Sequence, residues 1–215
     1  LNLAPNYDAL ITPRFTELGG SSLNTKFRHL GDGVEQELEL VITDLNADSK
    51  RWLLDYNNEA KFNDQLTSSI DVKSISDFEI LDDYGLALDD YGSDLGDIEK
   101  TSIMSKAELN YQGTSAILDT ASLAIITRQN DNRGPEVHAY NQLPHATLAG
   151  GGVINKNQQV INADYFADLT HFTRDNTRLT GSDKINGTRT HFEPSLSTAW
   201  VNSYSFIKPK ISLPI

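Results

Sequence analysis

The sequence predicts an all-β chain, an antiparallel meander of long strands, and three observations predict it. Apolar and polar residues alternate with period two along segments of about ten residues. Clusters of Gly, Asn, Asp and Ser divide those segments, and helical periodicity fails nearly everywhere between them. The segments also outrun the ordinary soluble strand of about 5 to 6 residues and reach the roughly 9 to 11 that cross a bilayer. The expectation is about eleven strands, part of a transmembrane β-barrel that this chain leaves incomplete.

The first strands are read at Leu3 to Thr16 and Ser22 to Leu30. Val34 to Asp44 is the clearest: Val34, Leu38, Leu40 and Ile42 share one parity, and Glu35, Glu37, Glu39 and Thr43 the other. In the next, Trp52, Leu54, Tyr56 and Ala60 oppose Arg51, Asp55, Asn57, Glu59 and Lys61, with Leu53 as the exception. A tight Phe62-Asn63-Asp64 turn leads to Leu66, Ser68, Ile70 and Val72 against Thr67, Ser69, Asp71 and Lys73. Ile103, Ala107, Leu109 and Tyr111 oppose Lys106, Glu108 and Asn110, and Gly113 turns the chain into Ser115 to Arg128. Gln142 to Ala149, Val160 to Thr173, Thr188 to Val201 and Ser203 to Leu213 complete the series. Three stretches read as loops, Asp77 to Lys100, Gln129 to Tyr140 and Arg174 to Gly187, and no linker separates two domains.

Composition narrows the function. The 215 residues carry a formal charge of −12, with no Lys/Arg cluster to offset it, which disfavours binding to nucleic-acid phosphates. Without cysteine there is no disulfide framework, thiolate nucleophile or Cys-based zinc site. The longest apolar stretches, such as Ala121 to Ile126, fall far short of the roughly 20 residues of a spanning helix, which leaves spanning strands open. No basic stretch leads into an apolar segment with a small-residue cleavage site. The first and last residues read as parts of strands, so the chain is expected to come from a longer protein.

Within a barrel the two parities have forced positions, because a Lys or Arg facing lipid at mid-membrane costs about 2 to 4 kcal/mol. Asp8, Arg14, Glu35, Glu37, Glu39, Asp55, Glu59, Lys61, Asp71 and Lys73 are therefore expected to face a watery lumen. Tyr7, Phe15, Trp52, Tyr111, Trp200 and Tyr204 lie near strand ends on the oily parity, where an interfacial girdle would want them. A solvated sheet face would share this geometry.

Other chemistry finds little support. The loop DDYGLALDDYGSDLGD lacks the alternating ligand order and closing Glu of a calcium loop. His29, His138, His145, His171 and His191 show no metal-ligand spacing, and no G-x-S-x-G elbow occurs. No cofactor, metal or catalytic group is expected.

The opening APNYDALITPR, the KFRHL that follows, RWLLDYNNEAKFND, the Asp/Tyr/Gly-rich loop, THFEPSLSTAW and FIKPKISL stand in one order along the chain. That series resembles the barrel of the lipopolysaccharide-assembly protein D family. The resemblance implies part of an outer-membrane barrel in a Gram-negative bacterium, one barrel domain over residues 1–215 without the family's periplasmic jellyroll. It implies a wall segment of the translocon that places lipopolysaccharide at the cell surface, not an enzyme. The implied partners are lipopolysaccharide, an LptE-like lipoprotein plug in the lumen, and periplasmic bridge proteins reached through the jellyroll. Pro13 matches a proline of a lateral-gate strand, where a missing donor weakens the seam. Pro5 reads as the turn residue entering that strand. The rival reading is a secreted or cell-surface β-sandwich that binds sugars or divalent ions.

Overall fold

The structure, a computed structural model, describes residues 2–16, 20–43, 50–81, 101–113, 117–131, 133, 139–156, 159–174, 181 and 185–215. Among them the chain is almost wholly β. The strands are β1 (Asn2–Ala4), β2 (Tyr7–Thr16), β3 (Gly20–Gly31), β4 (Val34–Thr43), β5 (Arg51–Lys61), β6 (Leu66–Ile75) and β7 (Ser102–Gln112). There follow β8 (Thr120–Asn130), β9 (Asn141–Lys156), β10 (Gln159–Thr173), β11 (Gly187–Thr198), β12 (Trp200–Val201), β13 (Phe206–Ile207) and β14 (Lys210–Ser212). Hydrogen-bonded neighbours follow chain order from β1 to β11, with β14 beside β11, and β12 pairs with β13 alone. The antiparallel meander is thus present.

Contacts divide the chain into two compact units, Leu1–Phe62 with Ser68–Ala107 and Ile126–Asn141, and Asn63–Thr67 with Glu108–Ile125 and Gln142–Ile215. In the first, the register runs without a slip from Tyr7↔His29 to Thr16↔Gly20, from Leu23↔Ile42 to Gly31↔Val34, and from Val34↔Ala60 to Thr43↔Arg51. Local chemistry fixes these pairings at the turns. Gly33 has φ +69, and a Cβ there would stand 2.8 Å from the Lys61 carbonyl oxygen, so the β3–β4 turn requires glycine. Asn63 Oδ1 accepts the amides of Gln65 and Leu66 and closes the β5–β6 turn.

Three segments depart from expectation. The strand expected over Leu3 to Thr16 is interrupted at Pro5 and Asn6, which turn the chain from β1 into β2. The strands expected over Thr188 to Val201 and Ser203 to Leu213 are present as one hairpin interrupted near its tip: β12–β13 keeps the register of β11–β14, Trp200↔Ile207 continuing Ser197↔Lys210, and the chain turns at residues 202–205. Asn202 Oδ1 accepts the amides of Tyr204 and Ser205, and Pro209, with no amide hydrogen, precedes β14. The expected loop from Asp77 opens with a helical turn at residues 79–81. Asp77 caps it, its Oδ1 accepting the Ile80 amide at 3.2 Å. The remainder of that acidic loop lies outside the described residues.

This turn explains Leu53, the exception to its strand's alternation. Leu53 and its register partner Val41 lie on the charged face, yet they are 0% and 1% exposed. Phe78, Ile80 and Leu81 cover them together with Ile75 and Ile103, forming a small apolar core. Arg51 fastens the covering segment: its Nε lies 3.1 Å from each Asp77 carboxylate oxygen, and Ser76 Oγ donates to Asp77 Oδ2.

Two outcomes follow for this anchor. Leu53→Ala should lower unfolding stability by about 2–5 kcal/mol, as a cavity in a closed cluster does. Leu54→Ala, on the other parity, should cost less; denaturant titration of both variants checks this. The Arg51 guanidinium holds the Asp77 carboxyl below its ordinary 3.8, at about 2. A depressed carboxyl stabilises the fold fully above its unfolded pKa and loses that contribution as pH falls through the folded one. Stability should therefore decline between about pH 4 and 2 more in the native chain than in Asp77→Asn, measured by unfolding midpoints across that window.

Candidate functional site

A strand sends successive side chains to opposite faces, so an unbroken register turns each strand's alternation into rows that cross a sheet. In the first unit, Asp8, Arg28, Glu37 and Asn57 form one row, and Lys26, Glu39 and Asp55 the next. Arg14 shares this face through Ser22, and Glu35 stands opposite Glu59, with Lys61 on the same parity. Lys73 reaches Asp55 at 3.8 Å, which joins β6 to the same face and places Asp71, two residues away, on it as well. The charged residues singled out from the sequence on β2, β4, β5 and β6 are thus gathered on one face.

The middle of that face is enclosed, while Leu10, Arg28, Glu35, Glu59 and Lys61 on it are exposed. Glu39 and Asp55, 4% and 6% exposed, stand directly opposite each other, a like-charge pairing that would destabilise the sheet if left alone. Counter-groups offset it: Asn24 Nδ2 donates to Glu39 Oε1 at 2.7 Å, Lys26 is Glu39's register partner, and Lys73 and Asn57 approach Asp55. Arg28 binds Asp8 across the β2–β3 pair, with Nε 2.9 Å from Oδ1, and Lys26 pairs with Glu37. Two buried acceptors on this face, Asn24 Oδ1 and Asp71 Oδ1, have no hydrogen-bond partner among the described residues.

The opposite face is apolar and open. Tyr7, Ile11, Phe15, Leu38 and Trp52 are all exposed on it, Leu38 by 37% against 4% for its neighbour Glu39. Pro13 lies on this parity and pairs with Leu23. The Leu30 amide donates to the Asn6 carbonyl, and with the unbroken register this assigns the hydrogen-bonded pairs of β2 and β3 to even-numbered β2 residues. Odd-numbered residues, Pro13 included, turn their backbone nitrogen to the other edge of β2. On that edge lies β1, whose register reaches Asp8 and stops short of Pro13. Pro5 lies in the β1–β2 turn.

The second unit has the same two faces and a cluster that sequence reasoning missed. Asp168, 9% exposed, accepts from His145 Nε2 at 2.8 Å, from Thr170 Oγ1 at 3.3 Å and from an Arg189 nitrogen at 3.3 Å. Asp168 pairs with His191 in register, and His191 stands 3.7 Å from Glu193. Ser195 and Ser197 continue this enclosed polar parity at 7% exposure each, while Phe192 and Leu196 on the other parity are exposed. The cluster draws on β9, β10 and β11, and the sequence signal that could have found it is a shared polar parity once the β10–β11 register is known. Among the described residues no group of three or more His, Cys, Asp or Glu could hold a metal ion.

Comparison with known proteins places this two-faced meander. The family profile described as LPS transport system D, LptD, matches residues 49–214. The chain is 27% identical to the LPS-assembly protein LptD of Pseudomonas syringae pv. tomato, over 98% of the chain and 24% of that protein. It is 27% identical to the LptD of Nitrosomonas europaea, over 99% of the chain and 28% of the relative, and 29% identical to that of Marinobacter nauticus, over 99% and 26%. The chain spans about a quarter of the length of these relatives. With a profile match over most of its length, on a sheet of the long antiparallel strands that its sequence predicts, the chain belongs to the LptD family.

Proposed function

We propose that this chain is a wall segment of the outer-membrane translocon that assembles lipopolysaccharide at the cell surface, one barrel domain over residues 1–215 that contributes no catalytic group. The observation that carries the reading is an inverted burial at the middle of the sheet: the carboxylates Glu39 and Asp55 are enclosed while Leu38 and Trp52 on the other parity, like Ile11 and Phe15 farther out, are open. Water lies on the charged side of a barrel wall and lipid on the apolar side. A β-sandwich reverses this, enclosing its apolar parity between two sheets, so the sandwich alternative has the opposite burial against it.

In this reading Asp8, Arg14, Glu35, Glu37, Glu39, Asp55, Glu59, Lys61, Asp71 and Lys73 line a lumen. An LptE-like lipoprotein in the lumen and periplasmic bridge proteins are the further partners that the family assignment supports. Strand β2, with Pro5 at its entry, is the lateral-gate strand. Pro13 lacks a donor at the edge turned away from β3, which is where a seam must part for lipid to leave sideways.

Pro13→Ala in the full-length protein tests this. It restores one amide donor at that edge, worth about 0.5–1.5 kcal/mol if it finds an acceptor. Lipopolysaccharide arriving at the surface should fall, and permeability to large antibiotics should rise, in cells dependent on the variant. Normal surface assembly with a measurably tighter seam would overturn the gate.

A further inference from the structure

On the polar parity of the second unit, β10 carries an aromatic ring, Phe166, between Asp164 and Asp168. Its register partner is Glu193, flanked on the same parity of β11 by His191 and Ser195. The ring is 40% exposed although Asp168 and Ser195 beside it are 9% and 7% exposed. His191 meets it at a tilt, with centroids 6.2 Å apart and planes at 54°. Phe172, farther along the same parity, is covered instead: the Arg189 guanidinium lies over it, 5.6 Å from the ring centroid. Of these two rings, Phe166 is the open one.

The polar groups around Phe166 are held in place. Asp168 accepts from His145 of β9, from Thr170 and from Arg189 of β11, which ties three strands to one carboxylate. Glu193 and His191 stand 3.7 Å apart, each side chain about a third exposed. A platform with fixed groups of both signs beside it narrows the ligand. Asp164, Asp168 and Glu193 oppose a bare phosphate, and Arg189 opposes a metal cation. A hydroxyl is donor and acceptor at once and can use both kinds of group. The face of an aromatic ring is its negative side, and the C–H hydrogens along one side of a pyranose supply the matching positive edge. Two positions along a strand span roughly 7 Å, so the hydroxyls of one sugar stacked on Phe166 come within reach of the flanking side chains.

We propose that the polar parity of β10–β11 carries a saccharide subsite, with Phe166 as the stacking platform and Glu193 and His191 as hydroxyl partners. Asp168 positions the groups beside them. The subsite rests on the lumen reading above and deepens it, because it names the glycan of lipopolysaccharide as the part this unit meets and a ring as the feature that meets it.

The test places a photo-crosslinking phenylalanine analogue at the exposed position 164, and separately at position 37 of the first unit, in the full-length protein in cells. Position 164 should capture lipopolysaccharide. Phe166→Leu should lower that capture by roughly two- to tenfold, the range that ring stacking contributes, and Phe166→Tyr should restore it. Capture at 37 should stay unchanged in both variants, which shows the wall intact. In cells whose lipopolysaccharide is cut back to its innermost sugars, capture at 164 should fall likewise. Capture at 164 that ignores Phe166→Leu or the glycan length overturns the subsite and leaves the lumen reading standing. So does capture at 164 of polypeptide alone while 37 captures lipopolysaccharide. Capture of lipopolysaccharide at neither position overturns both.

Discussion

Everything in the first unit depends on the unslipped register that runs from β2 to β5. A strand has two faces and no third option, so the pairing that sets Tyr7 against His29 also decides where Asp8, Arg28, Glu37 and Asn57 must meet. Alternation within a strand supplies the pattern, and the turns hold the phase. Gly33 matters in this sense more than any charged residue, because a side chain there would collide with the Lys61 carbonyl and disturb the pairing of both flanking strands.

Given that register, the enclosed face poses an electrostatic problem, and its solution is distributed. Glu39 and Asp55 face each other in a poorly solvated position, where two bare carboxylates would be costly. Lys26, Asn24, Asn57 and Lys73 come from both sides of the pair, so no single bridge carries the compensation. Farther along the same face the problem disappears because the residues change character. Val41 and Leu53 replace charge with hydrocarbon, and the Phe78–Leu81 turn closes over them. One side of this sheet is therefore wet and ionic in part and dry in part, according to what lies above it.

Much of this was legible in the sequence because period two is a local property. The parity of Glu35, Glu37 and Glu39, or of Asp55, Glu59 and Lys61, needs no knowledge of the partner strand, and all of these residues fall together as expected. What escaped reading depends on distant partners. Leu53 looked like a flaw in its strand because its cover arrives from a connection expected to be solvated, held by an Arg51–Asp77 contact across 26 positions. His145, Asp168 and Arg189 sit on three strands, and only the mutual phase of those strands brings them to one carboxylate. The interruption near Trp200 has a simpler cause: the two expected strands pair in one register from Ser195↔Ser212 to Val201↔Phe206, and Pro209, with no amide hydrogen, breaks the ladder between them.

The phase-locked ladder also limits how this chain can change its length. One residue added inside β3 or β4 would exchange the surroundings of every side chain from that point to the next turn, setting carboxylates such as Glu37 and Glu39 among hydrocarbon and Leu38 and Leu40 among ions. A pair of residues would preserve the faces and merely lengthen the strands. Growth and loss in this lineage should therefore be counted in twos within the ladder and be free only in the connections, so that thickness evolves in steps while loops drift continuously.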